Sequence, residues 1–283
     1  MNRLIIIFLY IGLMNCCAGY AQIYPVVGRY EGKLAQGMAI HKSKAFLMYD
    51  GGLCLMYDLK KKRIVESINL EMEKFSPHGN SACFGGLRSP ESPYPLLYVS
   101  ECKKNGYHCF VEAIYSNASH LVQTIEAKEA GKTLAVLNWC VDKRKPYLYG
   151  IVRDDSKKNI DGLSLHRIIK YRLPDISGEE PIILSEKDVI SVINVYFSNL
   201  LQDCTIKGNY MYIAGGEKEA DRKLSARVKQ RAIVVVNLKK GILEKKIDLT
   251  DVTSLEPEGC DFYKKKLLLS CGQDGGIYEI KEH

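Results

Sequence analysis

Residues 255–281, LEPEGCDFYKKKLLLSCGQDGGIYEIK, decide the fold. They read as three short strands at 260–263, 266–271 and 277–280. Lys264-Lys265 makes the first turn and Gln273-Asp274-Gly275-Gly276 the second, where Asp-Gly and Gly-Gly are hairpin signals. The plan recurs four times upstream. Each copy has a short segment with a small residue, then a turn, then an apolar run. The pairs are 36–41 with 45–49, 80–84 with 95–99, 138–141 with 146–149, 202–206 with 210–213, and 258–262 with 266–269. Aligned by eye, the small residues are Ala39, Cys83, Cys140, Cys204 and Cys260, at spacings of 44, 57, 64 and 56 residues.

A second hairpin also repeats. Asp50-Gly51-Gly52 leads into 53–59 and returns through Lys60-Lys61-Lys62. Residues 233–238 return through Lys239-Lys240-Gly241. About four strands in each ~50-residue unit is the pattern of a β-propeller. The small residue has a physical reason. Blades converge on the axis, so innermost strands have least room, and Ala or Cys fits where Leu does not. The last unit lacks a fourth strand, and residues 23–32 form a strand-like run with no partner of their own. Together they would close the ring and leave no open sheet edge. The reading is an all-β propeller of five blades in one domain, 22–283. Six blades follow instead if 154–191 hides a degenerate one.

The N-terminus stands outside the repeat. Met1-Asn2-Arg3 is a short positive region, residues 4–14 are apolar, and Gly19-Tyr20-Ala21 supplies small residues at a cleavage position. This is the pattern of a secretory signal peptide, residues 1–21, and it is too short to span a membrane. The expected location is the periplasm or outer cell surface. Leu13-Met14-Asn15-Cys16 is a poorer match to a lipoprotein box, so a lipid anchor at Cys16 is the minority reading. The 283-residue chain carries a formal charge of +7, and removing Arg3 with the leader leaves +6. The lysines fall mostly in turns as KK or KKK, which reads as solvated hairpin tips. A nucleic-acid track would need basic residues along one groove with aromatics between them. No nucleic-acid partner and no oligomer are expected.

Eight cysteines lie beyond the leader. An even number in an exported chain invites a disulfide reading. Cys102 and Cys109 flank a segment containing Asn105-Gly106 and are the one pair with local support. The others read as packing thiols. There is no C-x-x-C, G-x-S-x-G or H-E-x-x-H.

The run Glu256-Pro257-Glu258-Gly259-Cys260-Asp261-Phe262 and the Asp-Gly-Gly hairpins resemble exported bacterial propellers of the TolB-like, NHL and gluconolactonase-like kind, and exported proteins of gut-type Bacteroidetes. The likeness covers the repeat and implies a fold more than a function. Lactonases of that kind hold a divalent metal through Glu, Asn and Asp at the axis. Here only Glu258 matches a motif position, so a metal such as calcium stays an alternative beside no cofactor.

Polar residues cluster where the inner strands begin: Gln36, His78, Asn80, Asn138, Gln202, Asp203 and Glu258. They read as a ligand-binding rim, each weighed against a role in capping turns. A glycosidase needs two carboxylates ~5–9 Å apart. The acids at hand are Asp203, Glu258 and Asp261. Alternation sets Glu258 and Asp261 on opposite sides of their strand. The expectation is a non-enzymatic module that binds a ligand or protein through a polar axial face. A metal-dependent hydrolase, lactonase or glycosidase is the alternative.

Overall fold

A computed structural model describes residues 21–27, 35–102, 106–176, 178, 181–197, 200–218, 228–272 and 275–282. The leader with Cys16, residues 28–32 of the expected closing strand, and residues 219–227 lie outside these.

The chain is a five-bladed β-propeller. The first strand, β1 (Ala21–Val27), belongs to the last blade. Blade 1 is β2 (Ala35–His41), β3 (Lys44–Tyr49), β4 (Leu53–Asp58) and β5 (Arg63–Asn69). Blade 2 is β6 (Gly79–Arg88), β7 (Pro95–Glu101), β8 (Cys109–Tyr115) and β9 (Ala118–Glu129), extended by the two-residue β10 (Lys132–Thr133). Blade 3 is β11 (Val136–Val141), β12 (Tyr147–Lys158), β13 (Ser164–Arg172) and, after the short β14 (Ile182–Leu184), β15 (Val189–Phe197). Blade 4 is β16 (Leu200–Lys207), β17 (Tyr210–Lys218), β18 (Val228–Asn237) and β19 (Ile242–Asp248). Blade 5 is β20 (Pro257–Tyr263), β21 (Lys266–Cys271) and β22 (Ile277–Glu282), with β1 as its outer strand.

The ring closes as the sequence leads one to expect. β1 runs antiparallel to β22, from Ala21 opposite Glu282 to Val27 opposite Ile277. There is no sixth blade among the described residues. The stretch 154–191 is taken up by β12, β13 and a long connection whose β14 pairs in parallel with β9.

Burial follows position within a blade. The second strand β7 is buried along its whole length, whereas outer strands such as β5 are mostly exposed. The core is therefore laid between blades. One cluster joins Met48 and Met72 of blade 1 to Phe84 and Phe110 of blade 2. Another joins Leu268 and Ile277 to Met38 and Leu47 across the seam of blades 5 and 1. A third carries Ile233 and Val235 against Leu269 and Cys260. The largest spans blades 2, 3 and 4 around Trp139, whose indole N–H donates to the Tyr107 carbonyl at 3.0 Å. All five inner strands run the same way, from an upper face where they begin to a lower face where they end.

The cysteines are packing residues, and all eight in the described part are buried. No bridge joins Cys102 to Cys109. The register sets Ser100, not Cys102, opposite Cys109, and Cys102 has left β7 to donate its N–H to the His78 carbonyl.

Candidate functional site at the propeller axis

Each inner strand carries an irregularity at the same place, and β6 has a second between Phe84 and Arg88. The ladder to the second strand slips by one residue between Ala35 and Met38, Gly79 and Ser81, Val136 and Asn138, Leu201 and Asp203, and Pro257 and Gly259. A bulge is a retained device for re-aiming side chains, not a defect. The bulged residues are Gln36, Asn80, Leu137, Gln202 and Glu258. They stand at the upper ends of the inner strands, where Gln36, Asn80, Gln202 and Glu258 are buried and Leu137 packs against the largest core cluster.

The bulge corrects the alignment drawn from sequence. Counting from it, the first layer at the axis is Gly37, Ser81, Asn138, Asp203 and Gly259. The second is Ala39, Cys83, Cys140, Thr205 and Asp261. Cys204 and Cys260 are thus one residue out of register with Cys83 and Cys140. They face the blade seams, packed in the inter-blade clusters.

Asp203 fills the first layer. Its Oδ1 accepts from the Ser81 hydroxyl at 2.6 Å, Ala82 N at 3.2 Å and Cys204 N at 2.9 Å. Its Oδ2 accepts from Met38 N at 3.1 Å and Cys260 N at 2.9 Å. One carboxyl therefore ties together inner strands of four blades. Burial pushes this acid up to about 8, against the pull of the Ser81 hydroxyl and the backbone donors. Gly37 and Gly259 let the neighbouring inner strands close up around it. A Cβ on Gly37 would stand 2.9 Å from Ala82 N, and one on Gly259 would stand 2.7 Å from Met38 N.

Asp261 fills the second layer. Its Oδ2 accepts from Ile40 N at 2.7 Å, and its Oδ1 from the Thr205 hydroxyl at 2.8 Å and Phe262 N at 2.7 Å. Lys143 Nζ reaches both oxygens, at 3.0 and 2.8 Å. Burial works against the Lys143 ammonium, but the Asp261 charge and hydrogen bonds outweigh it, so its pKa is raised. The thiols continue the pattern. Val141 N donates to Cys83 Sγ at 3.2 Å, and the Cys140 thiol donates to the Cys204 carbonyl at 3.4 Å. The axis is filled with hydrogen-bonded side chains at both levels.

The expected rim residues divide accordingly. Gln36, Asn80, Gln202 and Glu258 hold the same bulge position in their strands. The Asn80 amide donates to the Leu201 carbonyl at 3.4 Å, and Gln202 Nε2 donates to Glu256 Oε1 at 2.9 Å. Glu258 lies over Gly272 of its own blade, where a Cβ would fall 2.8 Å from Oε1. Asn138 sits one layer down. Its Nδ2 donates to the Gln202 carbonyl at 3.1 Å, and its buried Oδ1 accepts no hydrogen bond. Asp203 belongs to the buried layer rather than the rim. His78 is away from the axis, with Nδ1 2.5 Å from Asp50 Oδ1 at the blade 1 hairpin. Sequence reading missed Lys143 and Thr205, the partners that hold Asp261. A basic residue just past the third inner strand was the available signal.

The donor set around Asp203 does not suit a divalent cation. Calcium takes about 6–8 oxygen ligands. Here backbone N–H groups converge on the axis, and they call for an acceptor. Asp203 spends both oxygens on them, and Glu258 is turned to another neighbour.

No protein-family model matches the chain, and no curated protein matches it. Among solved structures it is similar to Myxococcus xanthus glutaminyl cyclase, with 12% identity over 93% of this chain and 97% of that one, at a TM-score of 0.54. Kuenenia stuttgartiensis hydrazine synthase aligns at 10% identity over 86% of this chain and 57% of that chain, with a TM-score of 0.41. At 12% identity the likeness to the cyclase bears on the fold, and it agrees with the propeller described above.

Proposed function

We propose that the chain is an exported binding module that takes its ligand at the upper rim. The observation that carries this reading is the bulge repeated in all five inner strands at one level. A bulge re-aims side chains, and in four of the five blades it falls at a polar residue at the upper end of the inner strand, Gln36, Asn80, Gln202 and Glu258. Below them the axis is consumed by its own hydrogen bonds, so the rim is the place left for recognition. Its chemistry is amide and carboxylate: Gln36, Asn80 and Gln202 with Glu256 and Glu258. Asp50, Glu71, Glu73 and Asp251 add acids to the same face. Such a rim favours a hydroxyl- or amide-rich ligand, neutral or cationic, such as an oligosaccharide or a peptide with a free amino group. The leader pattern in residues 1–21 supports an exported location, with lipid attachment at Cys16 as the lesser reading.

Thermal-shift measurements against oligosaccharide and peptide panels test this. A ligand that binds only the native state raises the melting temperature by mass action. The expected result is a shift that disappears in Gln36→Ala/Gln202→Ala, with circular dichroism verifying that the double variant folds. A shift that survives this double variant would place the site elsewhere.

The second reading is an enzyme, favoured by the carboxylates Glu256 and Glu258 beside the rim amides. Candidate reactions are hydrolysis of a lactone or glycan, and the glutaminyl cyclisation in the name of the myxobacterial neighbour. Turnover of any of these that is lost in Glu258→Gln would replace the binding reading.

A further inference from the structure

The turns at the lower face gather most of the chain's paired lysines. The strand directions place there Lys42, which follows β2, and Lys60-Lys61-Lys62 between β4 and β5. Lys143-Arg144-Lys145 follows β11, Lys239-Lys240 joins β18 to β19, and Lys264-Lys265 joins β20 to β21. Along the sequence they look scattered, but the propeller brings them to one side. Lys42, Lys60–Lys62, Arg144, Lys145, Lys239, Lys240, Lys264 and Lys265 are all exposed.

The acids beside these turns are engaged, and the exposed Glu91 lies apart in the β6–β7 turn of blade 2. Asp58 pairs with Lys44 at 2.7 Å and accepts the Lys60 and Lys61 N–H groups. Asp142 accepts Arg144 N, and Asp261 holds Lys143. Burial and the neighbouring charges of Lys265 and Arg144 lower the pKa of Lys207, whose Nζ lies 3.2 Å from the Lys265 carbonyl. These cations crowd one another, so the face carries unneutralised positive charge. Among the described residues, Lys42, Lys60, Lys61, Lys62, Lys239, Lys264 and Lys265 make no ion pair. The acids of the long blade 3 connection, Asp175, Glu186 and Asp188, lie at the outer margin, where β14 joins β9.

The basic sector therefore spans blades 4, 5 and 1, with the inner turn of blade 3. Its centre is also where the chain enters the fold. β1 starts at Ala21, opposite Glu282, at the lower end of blade 5. Cys16 lies five residues before Ala21 in the sequence, so a lipid there would tether the domain from this side.

We propose that the lower face of blades 4, 5 and 1 docks on an anionic phospholipid surface. Lysines near such a surface attract its headgroups, and the attraction fades within a Debye length of ~10 Å at 0.1 M salt. On the lipoprotein reading, a lipid at Cys16 would hold this same face toward the bilayer. The upper rim then points away from the membrane toward its ligand. A membrane is favoured over nucleic acid or an acidic polysaccharide because the leader pattern points to export and Cys16, the candidate lipid site, lies five residues before Ala21 at the lower end of blade 5.

The test is vesicle co-sedimentation of the full chain carrying Cys16→Ser, which removes covalent lipid from the comparison. Phosphatidylcholine vesicles containing phosphatidylglycerol are compared with phosphatidylcholine alone, at low and high salt. Tighter binding to the anionic vesicles is expected, and its loss at high salt. Lys264→Glu/Lys265→Glu should weaken the partition on the order of 100-fold. An equal change in charge on the upper side, Lys74→Glu/Lys132→Glu, should have little effect. Circular dichroism and melting verify that both variants fold. Equal binding to neutral and anionic vesicles would overturn the proposal. So would an equal loss in the two variants, which would reduce the effect to net charge. Tighter retention on duplex DNA or heparin than on anionic vesicles at matched salt would also overturn it and assign the face to another polyanion.

Discussion

Removing the carboxyl of Asp203 is the sharpest test of how the propeller is held at its centre. The group accepts from one hydroxyl and four backbone N–H groups, at 2.6–3.2 Å. In Asp203→Ala those donors lose their acceptor in a buried place, and each unsatisfied group costs ~1–3 kcal/mol. The total reaches about 5 kcal/mol or more, comparable with the whole stability of an ordinary domain at ~5–15 kcal/mol. Asp203→Asn keeps the shape but turns an NH2 toward N–H donors, and should cost about 2–4 kcal/mol. Asn138→Ala, in the same layer, removes a single hydrogen bond and should cost ~1 kcal/mol.

The pH dependence of the Asp203 effect has a defined sign. The folded pKa, about 8, lies above the ~3.9 of an unfolded Asp. Between these values the native state binds the proton and the unfolded state does not, so stability falls as pH rises from 4 to 8, by at most ~1.4 kcal/mol per unit. The Ser81 hydroxyl, which can accept as well as donate, is the neighbour able to take the acid proton at 2.6 Å. Urea unfolding at pH 5, 6, 7 and 8 measures both effects, provided the slope m is unchanged. The midpoint gap between wild type and Asp203→Asn should narrow as pH rises. A cost for Asp203→Asn below ~1 kcal/mol at every pH would refute the reasoning, since it would mean that the donors find other acceptors.

Gly259→Ala should destabilise by ~2–3 kcal/mol in chemical unfolding, because its Cβ would fall 2.7 Å from Met38 N and the next inner strand must shift; wild-type stability would show that the blades can slide apart at the axis. Lys143→Met removes the cation from buried Asp261 and should cost about 3 kcal/mol, with part of it recovered in Lys143→Met/Asp261→Asn; additive effects would deny the coupling. The buried thiols should be silent to Ellman's reagent until denaturant is added, since burial raises the pKa of Cys54, Cys109, Cys260 and Cys271. A fast-reacting native thiol among the described residues would contradict this. Deleting residues 21–27 strips β1 from β22 and exposes a sheet edge, so aggregation or a large loss of melting temperature is expected.

The blade count was legible because each blade repeats turn chemistry that local physics demands. Lys60-Lys61-Lys62, Lys239-Lys240-Gly241 and Asp274-Gly275-Gly276 mark hairpins whatever lies around them. Ring closure was legible because β22 would otherwise be an open edge. The bulge was not, since it replaces no residue type with another. Gln36, Leu137 and Glu258 share a backbone geometry, not a chemistry. Without it, Cys204 and Cys260 aligned with Cys83 and Cys140 by type, one residue away from their structural equivalents. The Cys102–Cys109 pairing failed on register as well, because an Asn-Gly turn says that a hairpin exists but not where its rungs fall. The basic lower face escaped for the opposite reason. Every lysine was seen, but only the strand directions show that their turns point the same way.

The asymmetry of the axis follows from its own symmetry. In each inner strand the residue after the first axial position has a backbone N–H to place. Those of Met38, Ala82, Cys204 and Cys260 all find Asp203, and the fifth, of Trp139, donates to the Ser100 hydroxyl at 2.7 Å. A ring of converging donors needs one acceptor with several lone pairs at its centre. Two carboxylates there would repel each other in a space with little water. One blade must therefore supply the acid while others supply Gly, Ser or Asn. The same holds one layer down, where Asp261 takes Ile40 N and Phe262 N and Lys143 offsets its charge. The residues that most tightly bind the five repeats together are thus required not to repeat, and a repeat search passes over them for that reason.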